Sequence, residues 1–181
     1  MICSSQLHAG LVTFNFVGGP TQFGDPLTYS SGGIDLNVYG TPGVAVDTWL
    51  GIGVISSRWD NWQVDGHGPN ERVHMFFSHA VDLVSVGFKR VGWDDEASIW
   101  TVTKYVSGEI PGAWHFDWGS GVADTTERGL VDSNYYGLGV VGNDDDYYIS
   151  KITVMVPEPG VLGLLGIGLL AIAFRRRYTT L

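Results

Sequence analysis

The sequence predicts an all-β protein, a two-sheet β-sandwich of jelly-roll type followed by a single C-terminal transmembrane helix. Apolar and polar residues alternate with a period of two along most of the chain up to residue 156, which is typical of half-buried strands. The chain contains 26 glycines, and aromatic residues make up 13% of it, a composition typical of a turn-rich β domain with a real core. With 181 residues in total, we expect one domain rather than two.

Strand-like segments are separated by turns rich in Gly, Pro, Asn and Asp. Because a loop of hairpin length at 78–80 joins two of the segments, we expect those two to pair with each other. In the first of the two, Val73, Met75 and Phe77 share one face and are the better core candidates, while Arg72, His74 and Phe76 face the other way. The predicted strands are 11–17, 34–39, 44–55, 71–78, 81–88, 98–105, 113–118 and 147–156.

The charge and the cysteine content exclude several classes of function. The net charge is −9 at pH 7, and nucleic acid is not expected as a partner because phosphate contacts need clustered cations. Cys3 is the single cysteine, so neither an internal disulfide nor a cysteine zinc cluster can form. No Gly-x-Ser-x-Gly elbow is present, and no catalytic residues are predicted.

The C-terminal segment has three parts in a fixed order. Val156, Pro157, Glu158 and Pro159 lead into an uncharged apolar run at 161–174, and Arg175, Arg176 and Arg177 follow at once. As a helix the run would span about 21 Å, against a hydrocarbon core of about 30 Å, so a buried helix of a soluble domain is the alternative. A helix that is apolar on all sides and ends in three arginines favours the membrane, with the arginines on the cytoplasmic side.

These three parts match the PEP-CTERM sorting signal, and the chain resembles exosortase substrates. The resemblance implies export across the inner membrane of a Gram-negative bacterium, transient anchoring there, and cleavage by an exosortase near Pro-Glu-Pro. It also implies delivery to the cell surface or to an exopolysaccharide matrix. We expect an ectodomain at 11–156 and a sorting signal at 157–181.

An exported protein also requires a secretory signal. Leu7, His8 and Ala9 end on the small residue that a signal-peptidase site requires, and strand-like sequence begins directly afterwards. We therefore expect residues 1–10 to be the remainder of the c-region of a signal peptide.

Three acidic loops are candidates for calcium, although no cofactor is required by the sequence. Ca²⁺ takes six to eight oxygen ligands and tolerates irregular geometry, but the spacing here is not that of an EF-hand. The alternative is that acidic turns cap strands and keep the surface soluble. The candidate residues are Asp60, Asp65, Glu71, Asp94, Asp95, Asp144, Asp145 and Asp146. The segments 51–71 and 143–148 that hold most of them are also similar to exosortase-dependent surface proteins.

The tryptophans suggest a further role. Trp59 and Trp62 lie in a polar loop and are candidates for stacking on sugar rings, whereas Trp49, Trp100 and Trp114 are expected in the core. Three functions follow: a structural surface or exopolysaccharide-associated protein, which is favoured; a carbohydrate-binding module; and a glycan-active enzyme with two acids such as Asp65 and Glu71, or Asp95 and Glu96.

Overall fold

The computed structural model describes residues 10–92, 94–109 and 119–157, and in these ranges the fold is all-β as predicted. Besides the strands, the described residues form one 3-10 turn at Thr126–Arg128. The strands are β1 (Gly10–Asn15), β2 (Gln22–Gly24), β3 (Leu27–Ser31), β4 (Ile34–Thr41), β5 (Val44–Thr48), β6 (Gly51–Ile55), β7 (Val64–Asp65), β8 (Arg72–Val91), β9 (Glu96–Trp100), β10 (Tyr105–Glu109), β11 (Gly119–Asp124), β12 (Ser133–Val140) and β13 (Asp146–Val156).

The strands pair in two layers. The first sheet has the order β3-β4-β8-β12-β9-β10. In the second sheet β13 pairs with β8 along one edge and with β7, β6 and β1 in turn along the other. The second sheet continues from β6 through β5 to β2, and β11 pairs with β8 at its other side. All pairs are antiparallel, consistent with the predicted sandwich.

Strand β8 belongs to both sheets, and the predicted hairpin at 71–88 is wrong. Its first half pairs with β4 and β12, running away from the turn that precedes Arg72. Its second half pairs with β13 and β11 and runs back, so that Asp82 lies opposite Met155 and Lys89 lies opposite Tyr148. The two halves therefore face each other across the core instead of pairing edge to edge.

The core lies between the two sheets. Val73, Met75 and Phe77 are buried as predicted, in one cluster with side chains of the second sheet such as Ile152. Tyr147 joins the layers, since it lies in β13 and its hydroxyl donates to the Gly139 carbonyl of β12 at 2.7 Å. Burying these apolar side chains contributes the main favourable free energy of folding.

The outer face of the first sheet carries an aromatic group. The Trp100 ring covers Gly137 of the neighbouring strand so closely that a Cβ there would lie 2.0 Å from the ring atom Cε2. The Trp100 indole donates to the Tyr135 hydroxyl at 3.1 Å, and His74 Nδ1 lies 2.8 Å from the same hydroxyl. Phe76 is 4.9 Å from Tyr135, measured between ring centroids. Trp100 is half-buried on this face, so its expected place in the core is wrong.

Several strand boundaries differ from the prediction. The segment 44–55 forms two paired strands, β5 and β6, because Trp49 and Leu50 make a turn between them. The segment 98–105 contains a turn between β9 and β10. Strand β12 was not predicted. The segment 113–118 lies outside the described residues.

The ends of β13 define the two ends of the sandwich. Val156 is buried and lies opposite Gly10 of β1, so the described chain enters and leaves the domain at the same end. At the start of β13, 10 residues earlier, lie the loops that follow β6, β7 and β12. At 3.3 Å per residue this places the two ends about 33 Å apart.

Candidate functional site

The three acidic loops meet at one end of the sandwich. The amide of Gly66 donates to the Asp145 carbonyl at 3.0 Å, which ties the loop after β7 to the loop after β12. The amide of Asp146 donates to Asp95 Oδ1 at 3.0 Å, which adds the loop before β9. Antiparallel pairing brings these loops together although they are far apart in sequence.

Asp60 organises the loop between β6 and β7. Its Oδ2 accepts hydrogen bonds from the amide and the hydroxyl of Ser56, each at 2.7 Å, and its Oδ1 accepts the amide of Trp62 at 2.7 Å. Burial raises the pKa of Asp60, but these hydrogen bonds outweigh it and hold the pKa below its ordinary value. Asp60 therefore carries a negative charge across the neutral range.

Asp60, Asp65 and Glu71 form the acid triad. Each offers a carboxylate oxygen, and these oxygens all lie within 4.8 Å of one another. Asp65 and Glu71 are already joined, since the Glu71 amide donates to the Asp65 carbonyl at 2.9 Å and Glu71 Oε2 accepts the Asp65 amide at 3.3 Å. Burial raises the pKa of Asp65. Burial raises the pKa of Glu71 to about 8; a hydrogen bond with the Ser56 side chain acts against this rise, and the charges of Asp60 and Asp65 add to it.

Glu71 is the most enclosed member of the triad. Its side chain is 1% exposed, and within the described ranges its Oε1 atom has no hydrogen-bond partner. A buried carboxylate oxygen without a donor is unfavourable unless it is protonated or meets a cation.

Two other predicted acids hold loops in place. Both oxygens of Asp95 accept backbone amides, Oδ1 from Asp146 and Oδ2 from Gly92. Asp145 Oδ1 accepts the Glu96 amide at 2.8 Å, and its Oδ2 accepts the amides of Val141 and Gly142. Asp95 and Asp145 thus each connect the loop before β9 to the loop before β13 through hydrogen bonds to backbone amides.

The remaining predicted acids have different positions. Asp146 Oδ1 accepts the Gln63 side-chain amide at 2.6 Å, which links β13 to the end of the loop after β6. Asp144 is exposed and lines the same cleft as Asp60. Asp94 is exposed and is not among the residues that line this cleft.

The acidic cleft is an open depression of about 580 Å³ between the loop after β6 and the loop before β13. Trp59 stands at its side with 84% of its surface exposed, and the Arg58 guanidinium lies 5.0 Å from the Trp59 ring centroid. The cleft thus combines one accessible aromatic ring with carboxylate, amide and hydroxyl groups. Six of the lining residues are Ser56, Trp59, Asp60, Asn61, Asp65 and Asp144.

The other tryptophans are placed differently. Trp62 is 39% exposed and packs edge to face on Phe23, with ring centroids 5.7 Å apart, so it lies beside the cleft without lining it. Trp49 is 65% exposed in the turn between β5 and β6, and its predicted place in the core is wrong. Trp114 lies outside the described residues.

Sequence patterns missed Ser56, Asn61 and His67 as lining residues of the acidic cleft. The His67 amide donates to Asp65 Oδ1 at 3.0 Å, and this hydrogen bond lowers the pKa of Asp65 against the effect of burial. Asn61 is adjacent to Asp60, and His67 is two residues from Asp65, so their position in the sequence could have identified them. Ser56 follows a strand end and has no such signal.

The sorting motif begins inside the last strand. Val156 is buried at the end of β13, and Pro157 is exposed directly after it. Glu158, Pro159, the predicted helix at 161–174 and Arg175, Arg176 and Arg177 lie outside the described residues. Among the described residues, 10–92, 94–109 and 119–157, no helix has the length and the apolar composition that a membrane span requires.

The C-terminal segment defines the class of the protein, an exported all-β protein with a C-terminal sorting signal. Residues 156–177 match the family model of the PEP-CTERM protein-sorting motif. The chain therefore carries a PEP-CTERM sorting motif, which supports a membrane-anchored, exported protein that is sorted by an exosortase. No curated protein and no solved structure matches the chain. The comparisons therefore identify the sorting signal at 156–177.

Proposed function

We propose that the ectodomain is a surface-displayed domain that associates with extracellular polysaccharide through the acidic cleft. The observation that carries this proposal is Trp59, a large apolar ring that is 84% exposed at the side of a cleft of about 580 Å³. An indole so exposed gains little for folding, and beside hydroxyl-binding groups it suits the apolar face of a sugar ring.

The position of the cleft supports this role. Val156 ends the last described strand where the sorting signal begins, and the cleft lies about 33 Å away at the opposite end of β13. A domain anchored through its C-terminal end would hold the cleft away from the membrane. The same orientation would persist if the cleaved chain remained attached to the surface through that end.

The charge of the cleft selects the class of polysaccharide. Asp60, Asp65 and Asp144 all line it, and their charges would repel an anionic polymer. Carboxylate oxygens and the Asn61 amide are good partners for sugar hydroxyls. We therefore assign a neutral polysaccharide to the cleft. A polymer repeats its sites, so weak binding at each unit would be sufficient for retention.

The test is affinity electrophoresis of the full chain in detergent, through native gels with and without the host's neutral exopolysaccharide. Trp59→Ala should lose most of the retardation, since one aromatic contact of about 0.5 to 1.5 kcal/mol corresponds to a roughly 2- to 13-fold change in affinity. Trp49→Ala is the matched control, because Trp49 is also exposed but does not line the cleft.

The expected result is equal retardation of the wild type and Trp49→Ala, and faster migration of Trp59→Ala. If the wild type is not retarded, or if all three chains are retarded equally, the proposal fails and a purely structural surface role is the better account. Neither tryptophan is buried, so we expect all three chains to melt at similar temperatures.

A further inference from the structure

The acid triad concentrates negative charge in a small space. One of its buried oxygens accepts no hydrogen bond from the described residues. Oxygens of Asp60, Asp65 and Glu71 lie within 4.8 Å of one another. Three carboxylates at this separation repel one another strongly in a partly buried site. Because the hydrogen bonds to Asp60 favour its charged form, this group remains a negative partner for the other two.

The second observation concerns Glu71 itself. Its side chain is 1% exposed, one oxygen accepts the Asp65 amide, and the other, Oε1, has no hydrogen-bond partner in the described part of the chain. A buried carboxylate normally uses its free oxygen on a donor or a cation. The groups whose charges act on Glu71 include Asp60 and Asp65, both of the same sign. The triad therefore suits a cation better than a further anion.

The donor set indicates which cation. All three side chains offer oxygen, which favours hard cations over zinc or copper. The three ligands come from the loop after β6, from β7 and from the residue before β8, a geometry without regular spacing. Ca²⁺ accepts six to eight oxygens in irregular arrangements, whereas Mg²⁺ requires near-ideal octahedral geometry. Asp60 and Asp65 also line the open cleft, so water can supply further ligands.

We propose that Asp60, Asp65 and Glu71 bind one Ca²⁺ ion at the base of the acidic cleft. The ion joins the loop after β6, which carries Trp59, to the segment that leads into β8. The site shares Asp60 and Asp65 with the lining of the cleft, and Asp144 keeps the cleft acidic when the ion is bound. Calcium binding can be measured without any glycan, so the two proposals can fail separately.

The experiment measures calcium binding and thermal unfolding of the full chain in detergent. Isothermal titration with CaCl₂ should give one ion per chain, and calcium should raise the melting temperature relative to chelator, because a ligand that binds only the folded state stabilises it. Magnesium at the same concentration should give a smaller shift.

Two variants test the ligands. Glu71→Gln keeps the shape of the side chain and removes its charge, and it should weaken calcium binding at least tenfold. Asp65→Asn should act in the same direction and covers the case in which Glu71→Gln fails to fold. Asp144→Asn is the matched control, because Asp144 is an exposed acid of the same cleft outside the triad, and it should bind calcium as the wild type does.

Three results would overturn the proposal. One is equal melting of the wild type in calcium and in chelator. Another is an equal shift with magnesium, which would indicate screening of a chain with a net charge of −9. The third is calcium binding that survives both Glu71→Gln and Asp65→Asn.

Discussion

Asp95 offers a sharp test of how the loops around the cleft are held together. The change is Asp95→Ala, with Asp94→Ala as the matched control. Asp95 is 3% exposed, and its two oxygens accept the amides of Gly92 and Asp146. Asp94 is exposed. The two substitutions remove the same atoms from adjacent positions and differ in the hydrogen bonds that they break.

The magnitude follows from the two amides. Each amide left without a partner costs about 1 to 3 kcal/mol when it is buried. Gly92 is buried and Asp146 is half-buried, so the free energy of unfolding should fall by about 2 to 5 kcal/mol in Asp95→Ala. Asp94→Ala should stay within about 0.5 kcal/mol of the wild type.

The loss should also depend on pH. Burial raises the pKa of Asp95 from 3.8 to about 6, and the charges of Asp146 and Asp145 act in the same direction. The folded state therefore keeps this proton where the unfolded state has lost it. The resulting stabilisation is complete below pH 3.8 and is lost as the pH rises through 6. The difference between the wild type and Asp95→Ala should shrink by at most about 3 kcal/mol between pH 4 and pH 7.

The assay is urea unfolding at pH 4, 5.5 and 7, with the free energy extrapolated to water and the slope m compared between chains. Subtracting the variant from the wild type removes the titration of groups that both chains share. The reasoning is refuted if Asp95→Ala is as stable as Asp94→Ala, or if their difference does not change with pH.

Two further predictions concern a buried acid and a glycine. In chelator, the free energy of unfolding of the wild type should fall as the pH rises from 4.5 to about 8, because Glu71 ionises over this range first in the unfolded and then in the folded state. Glu71→Gln should lack this part of the pH dependence. Equal pH dependence of the two chains in urea titrations would contradict the prediction. Gly137→Ala should destabilise the domain by about 1 to 3 kcal/mol, because the new Cβ would lie 2.0 Å from Trp100 Cε2. An unchanged melting temperature and tryptophan fluorescence would show that Trp100 does not lie on this glycine.

The period-two pattern predicted the fold class and the buried face of β8 because side chains alternate along a strand whatever the strand pairs with. It could not predict the partners of β8. A loop of three residues suggested a hairpin. Both halves of the segment are apolar on one side, however, and each half pairs with strands of a different sheet. Strand β12 was missed because Gly137 and Gly139 have low strand propensity, and they are needed under the Trp100 ring.

The candidate site was predictable in composition and not in geometry. Acidic residues in loops were visible in the sequence, but the sequence could not distinguish Asp60, Asp65 and Glu71, which converge, from Asp95 and Asp145, which hold backbone amides. That distinction depends on contacts between loops that are far apart in the chain. Trp49 was misplaced because an aromatic residue between two apolar segments is usually core, whereas here it lies at the tip of a turn.

The mass of the mature protein is the most direct test of whether the chain is exported and sorted by an exosortase at its C-terminal motif. The protein should be recovered from the surface of a host with the cognate exosortase, for the wild type and for Glu158→Ala. We predict that the wild type ends near residues 157–159, and that Glu158→Ala stays in the inner membrane with its C-terminus intact. Surface protein that still carries residues 175–181 would contradict the account.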